Sequence, residues 1–347
     1  MKIVFFLLVV ILIDGVLLEI GLRVFFGFGD PLLYVADQQI GYRLAPNQRV
    51  RRFGNRIQIN HYSMRSADIP IERPEQILRV LLLGDSIANG GWWTDQSEIL
   101  SELISRKLTA QFIHDYERVE VLNASANSWG PRNELAYLMR FGNFNAQIVV
   151  LLINTDDLFA TAPTSIQVGR DRSYPNRKPM LAITEVLTRY LIKPKPIPEL
   201  EAVKNESGDR VGVNLEAIRQ IKKNLPATNH HLLVAMTPLL REVRTPGPRD
   251  YELAARRRLT EFTQLAQIPY LNFLPLFKRF DQPEDLYRDH IHLSPEGNLF
   301  VSDLISGKIE QLLTNMNQAK TSTRNEMSNY ENVPADLWKD VIEDPWK

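Results

Sequence analysis

The chain opens on an unbroken apolar run from Ile3 to Ile13, which continues to Phe28 with Asp14, Glu19 and Arg23 as its only charged interruptions. At about 1.5 Å of rise per residue such a helix crosses the ~30 Å of hydrocarbon in a bilayer. The run begins like a secretory signal, but the first alanine is Ala36 and no small-residue cleavage site follows it. A retained anchor over residues 1–29 is therefore preferred to a cleaved signal or a buried soluble helix. Asp14 weakens this, since a carboxylate near mid-membrane costs roughly 2.5–3.5 kcal/mol. Glu19 and Arg23, four apart, can neutralise each other near the interface.

Residues 30–77 are polar and rich in arginine and proline, with short alternating pieces such as Arg56 to Asn60. They predict an irregular linker with one hairpin. From Leu78 the texture changes. Arg79 to Leu83, Arg118 to Leu122, Ile148 to Ile153 and Leu232 to Met236 are continuous apolar runs, with a weaker one at Pro269 to Phe273. Runs of this kind suit strands buried on both faces of a parallel sheet. Between them lie amphipathic stretches at Gln96 to Ala110, Glu134 to Phe141, Leu215 to Leu225, Tyr251 to Ala266 and Pro295 to Leu313. Strand and helix alternation predicts a three-layer α/β/α sandwich over residues 78–314. Residues 158–212 break the rhythm with proline and basic clusters, and predict an insertion with a helix around Leu181 to Leu191. Residues 315–347 read as a weakly patterned polar tail.

Composition narrows the function. With 347 residues, 44% hydrophobic and 24% charged, the chain has material for a real core. Its 41 basic and 41 acidic side chains cancel, so no broad basic field exists to hold nucleic acid. The absence of cysteine removes disulfides, thiolate metal sites and cysteine nucleophiles, and fits an oxidising compartment without proving one.

Two places carry candidate chemistry. Gly84-Asp85-Ser86 follows the first sheet strand and precedes a helix, which exposes a serine hydroxyl at the sheet edge with its own N–H aimed at a developing oxyanion. Asp and Ser are also ordinary helix caps. Near the other end, Asp289 and His292 are three apart, a spacing at which a turn can set the carboxylate against the imidazole and leave the other ring nitrogen for a nucleophile. The same spacing is common in solvated loops, and Ser294-Pro295-Glu296-Gly297 reads as a helix start. His290 points away from His292. His230 and His231, adjacent on a strand, make a poor metal site, and no metal or cofactor is expected. Trp92 and Trp93 suit either a pocket wall or plain packing. The basic cluster Arg170, Arg172, Arg177 and Lys178 suits a solvated loop or an acidic glycan.

In this order and context the residues resemble the SGNH family of hydrolases, also called GDSL lipases and esterases. Gly84-Asp85-Ser86 matches the first block and Asp289-x-x-His292-Leu293 the last. Val121 to Gly130 (VLNASANSWG) looks like the second block, and Leu151 to Leu158 (LLINTDDL) the third. The Gly41-Tyr42-Arg43 segment, with the hydrophobic helix before it, looks like anchored members of the family.

The resemblance implies a flavodoxin-like parallel sheet, with Ser86 as nucleophile, His292 as general base and then acid, and Asp289 orienting His292. It also implies an oxyanion hole from the serine N–H, a second-block backbone N–H and a third-block asparagine amide. Ser128 and Gly130 are rivals for the second donor. At the third, Asp156 stands where the family has asparagine, and an ionised carboxylate only accepts hydrogen bonds. Asn154 is the alternative, though two residues along a strand is a displacement of roughly 6.6 Å. The implied function is ester hydrolysis through an acyl-enzyme, on an acylated envelope glycan, lipid or small ester. An O-acyltransferase using the same acyl-enzyme and a non-catalytic binding protein are the rivals. Membrane lipid is the partner of the N-terminal helix, and the expected placement is single-pass with the catalytic domain extracytoplasmic.

Overall fold

The computed structural model describes residues 1–226 and 231–331. Helix α1, Lys2–Phe26, buries none of its residues. Among the described residues it is the one helix long and apolar enough to cross a membrane. It ends at Gly27, where φ is 73° and the N–H bonds to Arg23 O at 3.0 Å. Glycine is required there twice over, because a Cβ would also lie 1.9 Å from the Arg51 carbonyl oxygen.

Two antiparallel hairpins follow where the sequence suggests one. β1, Tyr34–Asp37, pairs with β2, Gly41–Leu44, and β3, Gln48–Arg52, pairs with β4, Asn55–Ile59. Their polarity hides them in sequence, yet Tyr34, Ile40, Tyr42, Leu44, Ile57 and Ile59 are buried in the main hydrophobic cluster. The charged strand residues Asp37 and Arg52 are buried too, and each finds a partner far along the chain, Asp37 in Arg140 and Arg52 in Glu185.

The main sheet is wholly parallel. Its strands β5 (Ile77–Gly84), β6 (Arg118–Ser125), β7 (Ile148–Asn154), β8 (His231–Thr237) and β9 (Tyr270–Asn272) lie in the order β6-β5-β7-β8-β9. That is the flavodoxin-like order. β5 and β7 are buried at every position, as their continuous apolar sequences require.

The helices after α1 are α2 (Ser86–Asn89), α3 (Leu100–Gln111), α4 (Pro131–Phe141), α5 (Ala182–Val186, continued by a π-helical turn to Leu191) and α6 (Pro198–Lys204). They are followed by α7 (Arg210–Asn224), α8 (Leu240–Val243), α9 (Asp250–Leu265), α10 (Leu274–Phe277) and α11 (Pro295–Glu331). Leu81, Leu83, Val149, Leu151, Val234 and Met236 share one cluster with α4, α7 and α9. The alternate residues Val80, Leu82, Val150, Leu152, Leu233 and Ala235 are equally buried on the opposite face, where α3 packs on β6. The result is the three-layer sandwich. The predicted helix from Gln96 divides, because Asp95 caps a short 3₁₀ turn through Ser97 N at 3.1 Å and Ile99 is extended before α3 starts.

The described chain falls into two compact units, Met1–Ser306 and the residues from Gly307 onward. His230 and the tail beyond residue 331 lie outside the described residues.

Candidate active site

The parallel sheet gathers the chain's polar loops at the C-terminal ends of β5, β6 and β7. Successive connections leave β5 and β7 in opposite directions, which opens a crevice between them. Ser86 follows β5 there. Asp85, rather than Ser86, caps the short helix α2, its carboxylate accepting from Ile87 N at 2.8 Å. Ser86 is thereby the first helical residue, and its hydroxyl, 3.4 Å from Asp85 Oδ2, has a closer partner elsewhere.

That partner is His292, 206 residues away, whose Nε2 lies 2.9 Å from Ser86 Oγ. The other ring nitrogen, Nδ1, lies 2.8 Å from Asp289 Oδ2. The turn holding these two is built by Asp289 itself, whose Oδ1 accepts from Ile291 N at 3.0 Å and His292 N at 2.9 Å. Arg288 N to His292 O, at 2.8 Å, closes the same loop. Burial alone would raise the Asp289 carboxyl, but the backbone N–H groups of His292 and Ile291, with the His292 side chain, hold it below the usual carboxylate range. An ionised Asp289 against Nδ1 fixes the tautomer with hydrogen on Nδ1 and a free lone pair on Nε2. The arrangement can withdraw a proton from Ser86.

The remaining residues fall around this line in distinct ways. Ser128 adopts φ of 58°, and it lines both depressions that reach Ser86. Gly130 lines neither, and its N–H donates to Asn133 Oδ1 at 3.1 Å as part of the cap of α4. Asn154 Nδ2 donates to Asp85 Oδ2 at 3.0 Å and Asp157 Oδ2 at 2.8 Å. Asp156 lines the depression containing Ser86, His290, Ile291 and His292. Burial pushes its carboxyl up, against the opposing pull of Arg241. His290 is exposed, 3.8 Å from Asp289.

Behind Ser86 lies a carboxyl cluster, Asp85, Asp157 and Glu134, that no local pattern reveals. Burial pushes the Asp85 carboxyl up to about 6 despite the hydrogen bond from Ile87 N and the nearby His292. Burial and the neighbouring carboxylates drive Asp157 and Glu134 well above their ordinary range. Glu134 is fully buried and neither of its carboxyl oxygens has a hydrogen-bond partner. Groups in this condition are held protonated.

The cavity in front of Ser86 is about 360 Å³ and largely apolar, with Leu32, Tyr34, Val50, Ile57, Trp92 and Trp93 in its wall. Trp93 stands edge-on to His292, ring centroids 4.6 Å apart, and Arg288 lies over both tryptophan rings. The segment after α1 and the insertion both contribute, the latter through Ser173, Tyr174, Pro175 and Arg189. Among the described residues no group of three or more His, Asp or Glu is placed to hold a metal ion.

Solved structures similar to this chain include a lipase/acylhydrolase from Enterococcus faecalis, at 15% identity over 67% of this chain and 96% of that one, with a TM-score of 0.42. An acetyl xylan esterase, AlAXEase, is similar at 13% identity over 67% and 100%, TM-score 0.43. TesA follows at 16% identity over 67% and 99%, TM-score 0.42. No curated protein matches. The GDSL-like Lipase/Acylhydrolase family model matches residues 82–299, more than half of the 347 residues, so the chain belongs to that family of ester-hydrolysing enzymes, as its four sequence blocks anticipate.

Proposed function

We propose that the chain is a membrane-anchored serine esterase that removes an O-acyl group, such as acetyl, from an envelope glycan or lipid. The observation that carries this is the continuous line from Asp289 through His292 to Ser86, at 2.8 and 2.9 Å. Ser86 Oγ attacks the ester carbonyl as its proton passes to His292 Nε2. The tetrahedral intermediate collapses, the alcohol leaves with that proton, and the acyl group remains on Ser86. Water then attacks, gives a proton to Nε2, and releases the acid as Ser86 recovers its hydrogen. Asp289 holds the imidazolium formed in each half.

The backbone N–H groups of Ser86 and Ser128 receive the oxyanion. Ser128 is preferred to Gly130 because the Gly130 N–H already has a partner in Asn133. The Asn154 amide lines the same depression and donates to Asp85 and Asp157. The Asp156 carboxyl, raised by burial, borders the same space. In this reading residues 1–29 form the anchor, 78–314 the hydrolase domain with its insertion at 158–212, and the domain lies on the extracytoplasmic side. Labelling the full chain with a fluorophosphonate probe and locating the adduct by mass spectrometry tests the proposal. Modification at Ser86 is expected, and labelling elsewhere or none at all would refute it.

A further inference from the structure

We infer that the insertion carries a second bilayer contact, an apolar and basic face over residues 170–195 that seats on an anionic membrane surface beside α1. This rests on the reading of α1 as the anchor. A helix of 25 residues is about 37 Å long against ~30 Å of hydrocarbon, so its last turn, with Arg23, emerges at the interface. The insertion is fastened there by Arg23 and, one turn nearer the hydrocarbon, by Glu19. Glu19 accepts from Ala182 N at 2.8 Å and Ile183 N at 3.0 Å, and Arg23 Nη2 donates to Met180 O at 2.9 Å. Glu185, buried on the next turn, pairs with Arg52 and accepts from Gly29 N at 2.7 Å. The helix from Ala182 to Leu191 is thus held against the anchor's emerging end.

Its outer face is apolar. Met180, Leu181, Leu187, Leu191 and Ile192 are exposed, Leu191 at 73%, which is unfavourable against water and favourable in the headgroup boundary. Around them basic side chains outnumber acidic ones, with Arg170 paired to Glu199 at 2.9 Å and Lys178 to Asp30 at 2.6 Å. Residues 170–195 carry seven basic side chains against two acidic ones, in a chain whose total charge is zero. Of the two acids, Glu185 is buried in its ion pair. Basic residues at a membrane surface each gain on the order of 1 kcal/mol from anionic lipid. The charge sign and the adjoining span select an anionic bilayer as the occupant.

The face adjoins the Ser86 cavity. Pro31, Pro175 and Arg189 line both that cavity and the basic depression beside it. A row of aromatic rings also runs from the anchor inward: Phe26 to Phe53 at 5.8 Å, Phe53 to Trp92 at 5.1 Å, Trp92 to Trp93 at 5.6 Å, and Trp93 to His292 at 4.6 Å. Seating the face places the mouth of the Ser86 cavity at headgroup level, so the scissile ester is taken from the membrane surface.

The absence of cysteine makes a clean test. Leu191→Cys and, as a control, Leu265→Cys at the end of α9 are labelled with an environment-sensitive dye in the full chain. Each is reconstituted in phosphatidylcholine vesicles with or without phosphatidylglycerol and with nitroxide-bearing lipid as quencher. At least a twofold quench is expected at position 191, stronger with phosphatidylglycerol and weakened by Arg177→Glu with Lys193→Glu, while position 265 stays unquenched. A chain that floats with the vesicles but gives equal signals at the two positions overturns this inference alone. Failure to float overturns the anchor reading with it. A dye response to a soluble acidic glycan and none to vesicles overturns it in favour of a glycan-binding face.

Discussion

Glu19, on the apolar helix α1, caps the helix that begins at Ala182, accepting that residue's N–H at 2.8 Å across 163 positions of sequence. The carboxylate that looks like a defect in an apolar run is a fastening between α1 and the insertion. Glu19→Ala leaves two helix-start N–H groups without their partner, at a cost of about 1–2 kcal/mol to that local structure. Hydrogen exchange at the Ala182 and Ile183 amides should quicken about tenfold, while amides of β5 and β7 stay protected.

Asn154 and Asp156 should respond in different measurements, the first in stability and the second in turnover. Asn154→Ala strips donors from two buried carboxyls, and a loss of roughly 1–3 kcal/mol in stability is expected, read as a lowered Tm. Asp156→Asn removes a carboxyl that burial has raised but that ionises as pH increases. An ionised Asp156 opposes the oxyanion, so the ratio of variant to wild-type kcat should grow with pH, reaching about tenfold, or ~1.4 kcal/mol. A ratio flat with pH would show that the Asp156 charge does not act on the reaction.

The carboxyl cluster behind Ser86 gives a signed pH dependence of stability. Asp85 has a folded pKa of about 6 against 3.8 ordinarily. Between these values the folded state holds more protons than the unfolded state. Stability from this group therefore falls as pH rises from about 4 to beyond 6, the reverse of a salt-bridged carboxylate. Asp85→Asn can still cap α2 and has no proton to lose. Its Tm should gain on wild type as pH is raised from 4 to 7, and a constant difference across that range would be inconsistent with a protonated Asp85.

How much of this was legible in sequence follows from the range of each interaction. β5, β7 and β8 announce themselves because burial on both faces leaves an unbroken apolar run. Asp289 and His292 are readable because one turn joins them. Of the two hairpins over residues 34–59 only one is hinted at, by the alternation from Arg56 to Asn60, since the burial of these strands depends on partners such as Arg140 and Glu185 that no local pattern reveals. Asn154 could be singled out by type and place, but its tie to Asp85 required the register of β5 against β7, whereas Asp157 is only three residues on. The pairing of Glu19 with Arg23 was foreseeable from spacing and is present at 2.6 Å. Its larger role at Ala182 was not.

Pre-steady-state hydrolysis of p-nitrophenyl acetate by the full chain in detergent tests the Ser86 assignment most directly. Wild type is expected to release nitrophenol in a burst of about one equivalent per chain, followed by slower turnover. Ser86→Ala and His292→Ala should lose both burst and turnover by at least about 10³-fold with an unchanged Tm, and Asp289→Asn should lose less, since such residues contribute unequally. Undiminished turnover in Ser86→Ala or His292→Ala would contradict the account.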